Sequence, residues 1–330
     1  MENVADKAGG LMNLFSYSNL VHAVSGAAGS VIAISVFYPL DTVRTRLQVD
    51  DHRRAKHTFE VLKDIIKEEG INGICRGWLS MAGTILVSSF IYFYTYASFQ
   101  YVHHSIIDTQ SASSTNKHIE SLHTMFVDLL IAFLAGVVNV LMSSPLWVAN
   151  TRLKLQGAKL YTAHYNKKDD TRQDAKHDYN GTIDCIVKII QKEGIKTLWG
   201  GTVPSILLAT NPAIQFMVYE ALKRYFTHML NVSELNGLLY FLLGAIAKTV
   251  ATVITYPLQV VQSRLRAGYA KLESSLSLIE NILHLIKTRG IGALYKGMEA
   301  KLLQTVLTAA LMFLIYEKIS AFIFQLMSVK

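Results

Sequence analysis

The sequence predicts an all-α membrane protein: six transmembrane helices in three tandem repeats, with short amphipathic helices on one face. Three observations carry that prediction. Of 330 residues, 51% are hydrophobic and only 17% are charged. Six mostly apolar stretches, near 20–47, 79–101, 125–153, 203–225, 237–265 and 300–325, are each long enough to cross about 30 Å of hydrocarbon at about 1.5 Å per residue. One stretch then recurs: Tyr38-Pro39-Leu40-Asp41-Thr42-Val43-Arg44-Thr45-Arg46-Leu47 returns around Pro145 and again around Pro257, the prolines lying 106 and 112 residues apart. A period of that size means one structural unit built three times.

The elements follow in order. Residues 1–19 are polar and small and read as a tail, with neither a secretory signal nor an Arg-rich presequence. The first repeat is 20–108, 109–122 is a Ser/Thr-rich linker, 123–230 is the second repeat with a polar insert at 157–180, and 231–330 is the third. Pro39, Pro145 and Pro257 each close a long apolar segment and remove a backbone donor there, so each predicts a kink. Ser25, Gly26, Gly29 and Ser30 predict close helix packing in the first span. After each kink comes a short amphipathic helix, the first with Phe59, Leu62, Ile65 and Ile66 on one side. It ends at Glu69-Gly70, then Glu193-Gly194, then Arg289-Gly290, and the next span opens at Gly77, Gly201 and Gly297.

Charge sets the topology. The net charge is +8, and 24 of the 32 Lys and Arg residues fall within 44–77, 151–201 and 262–297. All three loops therefore share one face and both termini lie on the other. Basicity beside membrane spans reads as a topology signal or a site for anionic lipid rather than a nucleic-acid partner. The two cysteines, Cys75 and Cys185, have neither a metal nor a redox spacing.

Polar residues inside spans are costly and face a water-filled interior. Thr84, Ser88, Tyr92 and Thr95 form one helix-spaced stripe; Asn139 with Ser143, and Asn211 with Gln215, form others. Lys248, Thr252 and Thr255 make a fourth, and Lys301, Gln304, Thr305 and Thr308 a fifth. Interhelical hydrogen bonding is the plainer use of any one hydroxyl or amide. Lys248 stands nine residues before Pro257, about 13 Å by helix rise, and no acidic residue shares its span. Its ammonium calls for an anionic ligand, with Lys301 helping, or for carbonyl partners. No nucleophile–base pair, paired carboxylates or metal set occupies the spans, so an enzyme is disfavoured. A passive channel or assembly scaffold is the remaining class, separable by a flux assay.

Three copies of Pro followed by Arg seven residues on, each followed by Gly and a basic-Gly or Gly-Gly element, make the sequence resemble the mitochondrial carrier family over essentially its whole length. The resemblance implies a pseudo-threefold carrier barrel with alternating access between two gates, exchanging anionic metabolites. It makes Asp41, Arg44, Trp147, Asn150, Gln259 and Gln262 one gate, in which Asp41 accepts from Asn150 and Arg44 meets Gln259, with no complete ring of ion pairs. The other gate maps onto Gln100, Glu220, Lys223 and Glu317. Incomplete gates leave room for uniport beside strict exchange. Counting from family positions, the resemblance points to Thr84, to Leu207 with Leu208, and to Gln304 with Thr305 as substrate contacts.

Within the family, Pro145-Leu146-Trp147 with Asn150, Asn211-Pro212 with Gln215, and Glu299 to Gln304 are similar to peroxisomal members that carry adenine-containing cofactors. Coenzyme A, FAD, NAD, AMP, ADP or ATP are implied as cargo rather than as bound cofactors, in a monomer of the peroxisomal membrane delivered by the membrane-protein import receptor. The alternative is a mitochondrial inner-membrane carrier for NAD, FAD, folate or pyrimidine nucleotides.

Overall fold

The computed structural model describes residues 32–50, 57–110, 117–158, 179–231, 235–268 and 278–311, and every regular element among them is helical. The elements are α1 (Tyr38–Val49), α2 (Thr58–Cys75), α3 (Trp78–Gln110), α4 (Lys117–Leu155), α5 (Thr182–Glu193), α6 (Thr202–Leu208), α7 (Asn211–Leu230), α8 (Gly237–Arg266) and α9 (Leu278–Arg289). Short 3₁₀ turns at Ile195–Trp199 and Ile291–Tyr295 follow α5 and α9, and residues 298–311 are helical again.

Three of these helices are long and apolar enough to cross a membrane: Trp78–His103, Val127–Leu155 and Gly237–Arg266. Their exposed side chains are apolar, Leu86, Phe90 and Phe93 on α3, Leu134 and Leu141 on α4, Phe241, Ile246 and Ile254 on α8. That inverts the pattern of a water-soluble bundle and suits hydrocarbon as the solvent. The expected fourth span, 203–225, is divided instead. Pro212 has no N–H to continue the ladder, α6 ends at Leu208, and α7 restarts at Asn211 with Pro in its first turn. Glu220, Lys223 and Arg224 further lower the apolar content of α7. The expected first and sixth spans lie only partly within the described residues, and residues 1–31, with Ser25, Gly26, Gly29 and Ser30, lie outside them; so does 159–178 of the polar insert.

The prolines act in two ways. Pro145 and Pro257 are carried inside α4 and α8. Pro39 instead begins α1 after Phe37 leaves helical geometry (φ −98°, ψ 12°).

Each amphipathic helix packs against the helix that carries its own repeat's proline. Val61 and Ile65 of α2 meet Val43 and Leu47 of α1. Cys185 and Ile189 of α5 meet Val148, Ala149 and Leu153 of α4. Leu285 of α9 meets Val261 of α8. The expected face of α2 was half right: Ile65 is buried and Leu62 partly so, but Phe59 and Ile66 are exposed at 59% and 41%. One turn separates Val61 from Ile65, and Phe59 and Ile66 fall on the opposite side of that stripe. Cys75 is exposed and Cys185 buried, both free. Burial pushes the Cys185 thiol from its ordinary 9.0 up to about 12, so it is chemically inert at neutral pH.

α1, α4 and α8 touch one another in a closed triangle. A glycine seals each side. Gly77, at φ +82°, accepts at its carbonyl from Asn150 Nδ2 on α4 (3.2 Å). Gly201, also at φ +82°, abuts the Gln262 carbonyl on α8, and Gly297, at φ +80°, abuts the Arg44 carbonyl on α1. These positions combine a left-handed backbone with a close approach, which glycine alone accommodates without strain.

Candidate substrate cavity and gate

A cavity of about 660 Å³ opens between α3, α4, the α6–α7 junction and α8. Its α4 wall follows one helical stripe, Leu129, Phe133, Gly136, Asn139, Ser143 and Trp147, spaced three or four residues apart, with Leu130, Ala132 and Val140 beside it. Ser88 and Tyr92 of α3 face it, with Ser88 donating to Asn139 Oδ1 at 3.0 Å. Leu208, Thr210 and Pro212 close another side, and Ser205, Gln262 and Arg266 join Trp147 at one end.

The other residues singled out from the sequence are placed as follows. Thr84 is buried and its hydroxyl donates to Ser80 O in its own helix (2.7 Å), away from the cavity lining. Leu207 is 42% exposed and does not line the cavity either. Asn211 joins two helices by donating to Thr255 Oγ1 (3.0 Å), the interhelical role open to any such amide. Gln215 is half-buried. Thr305 donates to Lys301 O (2.7 Å), and Gln304 is buried with its carbonyl oxygen lacking a donor among the described residues.

The residues expected to form one gate converge at the triangle of α1, α4 and α8, with two substitutions of roles. Asp41, 5% exposed, binds Arg44 Nη1 at 3.3 Å and the Lys154 ammonium. Arg44 Nη2 also donates to Gln259 Oε1 at 3.3 Å, the expected contact. The expected Asn150 contact to Asp41 does not form: Asn150 turns to the Gly77 carbonyl, and Lys154, one helical turn later on the same face, supplies the cation. The same displacement occurs on α8. Gln262 donates to Ser205 Oγ (2.7 Å), while Arg266, four residues on, stands over the Trp147 ring at 5.4 Å. The sequence contained the signal: Gln48, Lys154 and Arg266 all stand nine residues after their proline. Counting positions outward from the prolines would have found them.

The third side of the triangle, α1–α8, is centred on Gln48. Gln48 donates to Tyr256 OH (3.1 Å) and accepts from Ser263 Oγ (2.6 Å), and Arg264 Nε donates to the Gln48 carbonyl (3.0 Å). Outside the triangle, Arg46 holds Glu69 and Arg152 holds Glu193, each through two N–H groups, locking each kinked helix to its surface helix.

At the opposite gate, Gln100 donates to Tyr96 OH (3.0 Å), and Glu220 lies 3.7 Å from Lys223 and 3.8 Å from Arg224. All of these contacts stay within one helix; Glu317 is outside the described residues. Among the described residues, therefore, side-chain pairs join the helices of the triangle, and none crosses between helices at the residues expected for the second gate.

Charge in the interior is one-sided. Arg44, Lys154 and Lys248 lie in electrostatic range of Lys301, and Arg44 in range of Arg266, with Asp41 the only carboxylate among these groups. Among the described residues neither Lys248 nor Lys301 has an acidic partner within ion-pair distance. The described residues hold no cluster able to bind a metal.

Comparison with known proteins fits this arrangement. The family model for mitochondrial carrier proteins matches three times, at residues 15–105, 121–230 and 233–326. The chain belongs to the mitochondrial carrier family. It is a multi-pass membrane transporter, not an enzyme. It is 49% identical over 327 residues to the peroxisomal membrane protein PMP34 of Mus musculus, covering 97% of this chain and 98% of that one. It is 34% identical to the peroxisomal nicotinamide adenine dinucleotide carrier of Arabidopsis thaliana, covering 91% and 95%. The peroxisomal adenine nucleotide carrier 1 of Glycine max is 28% identical, covering 92% and 91%.

Proposed function

We propose that this carrier is a six-helix, pseudo-threefold barrel that exchanges adenine-containing nucleotides and cofactors, coenzyme A, FAD, NAD, AMP, ADP and ATP, by alternating access across the peroxisomal membrane. The observation that carries the reading is the excess of interior cations. Arg44, Lys154 and Lys248 surround Lys301 with Asp41 as the one carboxylate among them, and Arg266, in range of Arg44, is the cation of this set that lines the cavity. Buried uncompensated charge is expensive, and the surplus is offset when a polyanion such as a di- or triphosphate enters. A cavity of about 660 Å³ lies within the range of sites that hold nucleotide-sized ligands. Ser88, Tyr92 and Asn139 on its walls supply hydrogen bonds and a ring for ribose and base.

The cyclic contacts of α1, α4 and α8 and the threefold family match support the barrel, with repeats at 20–108, 123–230 and 231–330. The peroxisomal names of the relatives support the compartment. The carrier works as a monomer in contact with anionic lipid and reaches its membrane through the import receptor for peroxisomal membrane proteins.

The test is uptake of labelled ATP, coenzyme A, FAD and NAD into liposomes holding the purified protein, with and without internal AMP. Uptake that depends on internal nucleotide and falls at least tenfold in Lys248→Ala supports the reading. If folded protein moves none of the four, the substrate class is wrong.

A further inference from the structure

Arg266 belongs to two structures at once. It lines the cavity with Ser205, Gln262 and Trp147, and it closes the α4–α8 side of the gate by standing 5.4 Å over the Trp147 ring. Its hydrogen bond goes to a neutral acceptor, from Nη2 to Ser205 Oγ at 3.1 Å. That oxygen also accepts from Gln262 (2.7 Å) and donates to Gly201 O (2.6 Å), so its capacity is full. Among the described residues no carboxylate pairs with Arg266, and Arg44 lies in repulsive range. A guanidinium has five N–H donors in a fork matched to phosphate, and stacking on a ring consumes none of them. At the equivalent position Lys154 is already bound to Asp41, so an entering anion must compete with a carboxylate there and only with a ring and a hydroxyl at Arg266.

We propose that Arg266 is a substrate-operated latch. A phosphate oxyanion entering the cavity takes two N–H groups of the guanidinium, draws it off the Trp147 ring and releases the α4–α8 side first. The exchange is favourable because a phosphate oxyanion gives the guanidinium fork a bidentate acceptor of opposite charge, where Ser205 gives one neutral hydroxyl. Binding and gate opening are then coupled through one side chain, and by linkage a loosened gate binds phosphate more tightly. This rests on the reading of the cargo as phosphate-bearing, but the latch requires only the phosphate.

Trp147 is one of three tryptophans, so a Trp78→Phe/Trp199→Phe protein reports on this ring alone by fluorescence. In neutral phosphatidylcholine liposomes, we expect ATP and inorganic pyrophosphate to shift Trp147 emission saturably, and adenosine to leave it unchanged. Arg266→Gln abolishes the shift and lowers ATP exchange at least tenfold, and Arg266→Lys, which keeps the charge but loses the fork, retains part of both. A pyrophosphate-dependent shift supports the latch even if no adenine compound is transported, in which case only the cargo assignment fails. Absence of any shift with pyrophosphate and ATP overturns the latch, including when the wild type exchanges ATP normally. So does an Arg266→Gln protein that exchanges ATP at the wild-type rate.

Discussion

The α1–α4 and α4–α8 sides of the gate solve the same problem with different chemistry. In both, the amide five residues after the proline turns aside, and a cation nine residues after it crosses to the neighbouring helix. On the first side that cation, Lys154, meets a carboxylate that also holds Arg44. On the second, Arg266 meets only the face of Trp147 and the Ser205 hydroxyl. A buried ion pair is expensive to break because each partner is left as an uncompensated charge, whereas a cation over a ring can be traded for a better acceptor. We read the first side as holding and the second as yielding, while the third side joins α1 to α8 through Gln48 with Tyr256 and Ser263, Arg44 with Gln259 and Arg264 with the Gln48 carbonyl.

The comparison breaks most readily at Asp41. Asp41→Asn leaves Lys154 and Arg44 without an anion and is expected to cost about 3–5 kcal/mol, read as a lowered unfolding temperature in detergent. The exchanged pair Asp41→Lys with Lys154→Asp recovers part of it. An Asp41→Asn protein as stable as wild type would remove the distinction between the two sides. The next effect is at the seal. A Cβ on Gly297 would stand 3.1 Å from Arg44 O and from Tyr256 OH at φ +80°. Gly297→Ala should therefore lose about 1–2 kcal/mol from the left-handed backbone alone, on the α1–α8 side. The smallest change belongs to the yielding side: Trp147→Leu should lower stability by only about 0.5–2 kcal/mol. It should also raise uptake in the absence of internal nucleotide. A loss as large as that of Asp41→Asn would mean that Trp147 holds the gate as firmly as the ion pair does.

Periodicity and repetition are properties of the chain, and they were sufficient for much of this protein. The recurrence of Pro39, Pro145 and Pro257, the Gly before each even-numbered span and the burial of Ile65 need only helix geometry and hydrophobicity to be read. The same is true of the isolated charge at Lys248, since hydrocarbon does not tolerate an unpartnered ammonium. The Arg44–Gln259 contact was also legible, because both residues stand at repeated positions. What tertiary structure decided was which side chain crosses each interface. Asn150 and Gln262 stood at the expected positions and Lys154 and Arg266 one turn beyond; counting from the prolines marks both turns, but nothing local says which of two residues on one helical face makes the crossing. The longer side chains reach the neighbouring helix from the deeper turn, while the short amides satisfy a nearer carbonyl and hydroxyl. The outward turn of Phe59 was likewise settled by what lies alongside, whereas the break between α6 and α7 follows from Pro212 and was legible in the chain. Sequence alone determined that three kinked units would meet around a cationic interior, because composition and period act within each unit. Only packing determined how they latch, because a latch is a property of two helices and the distance between them.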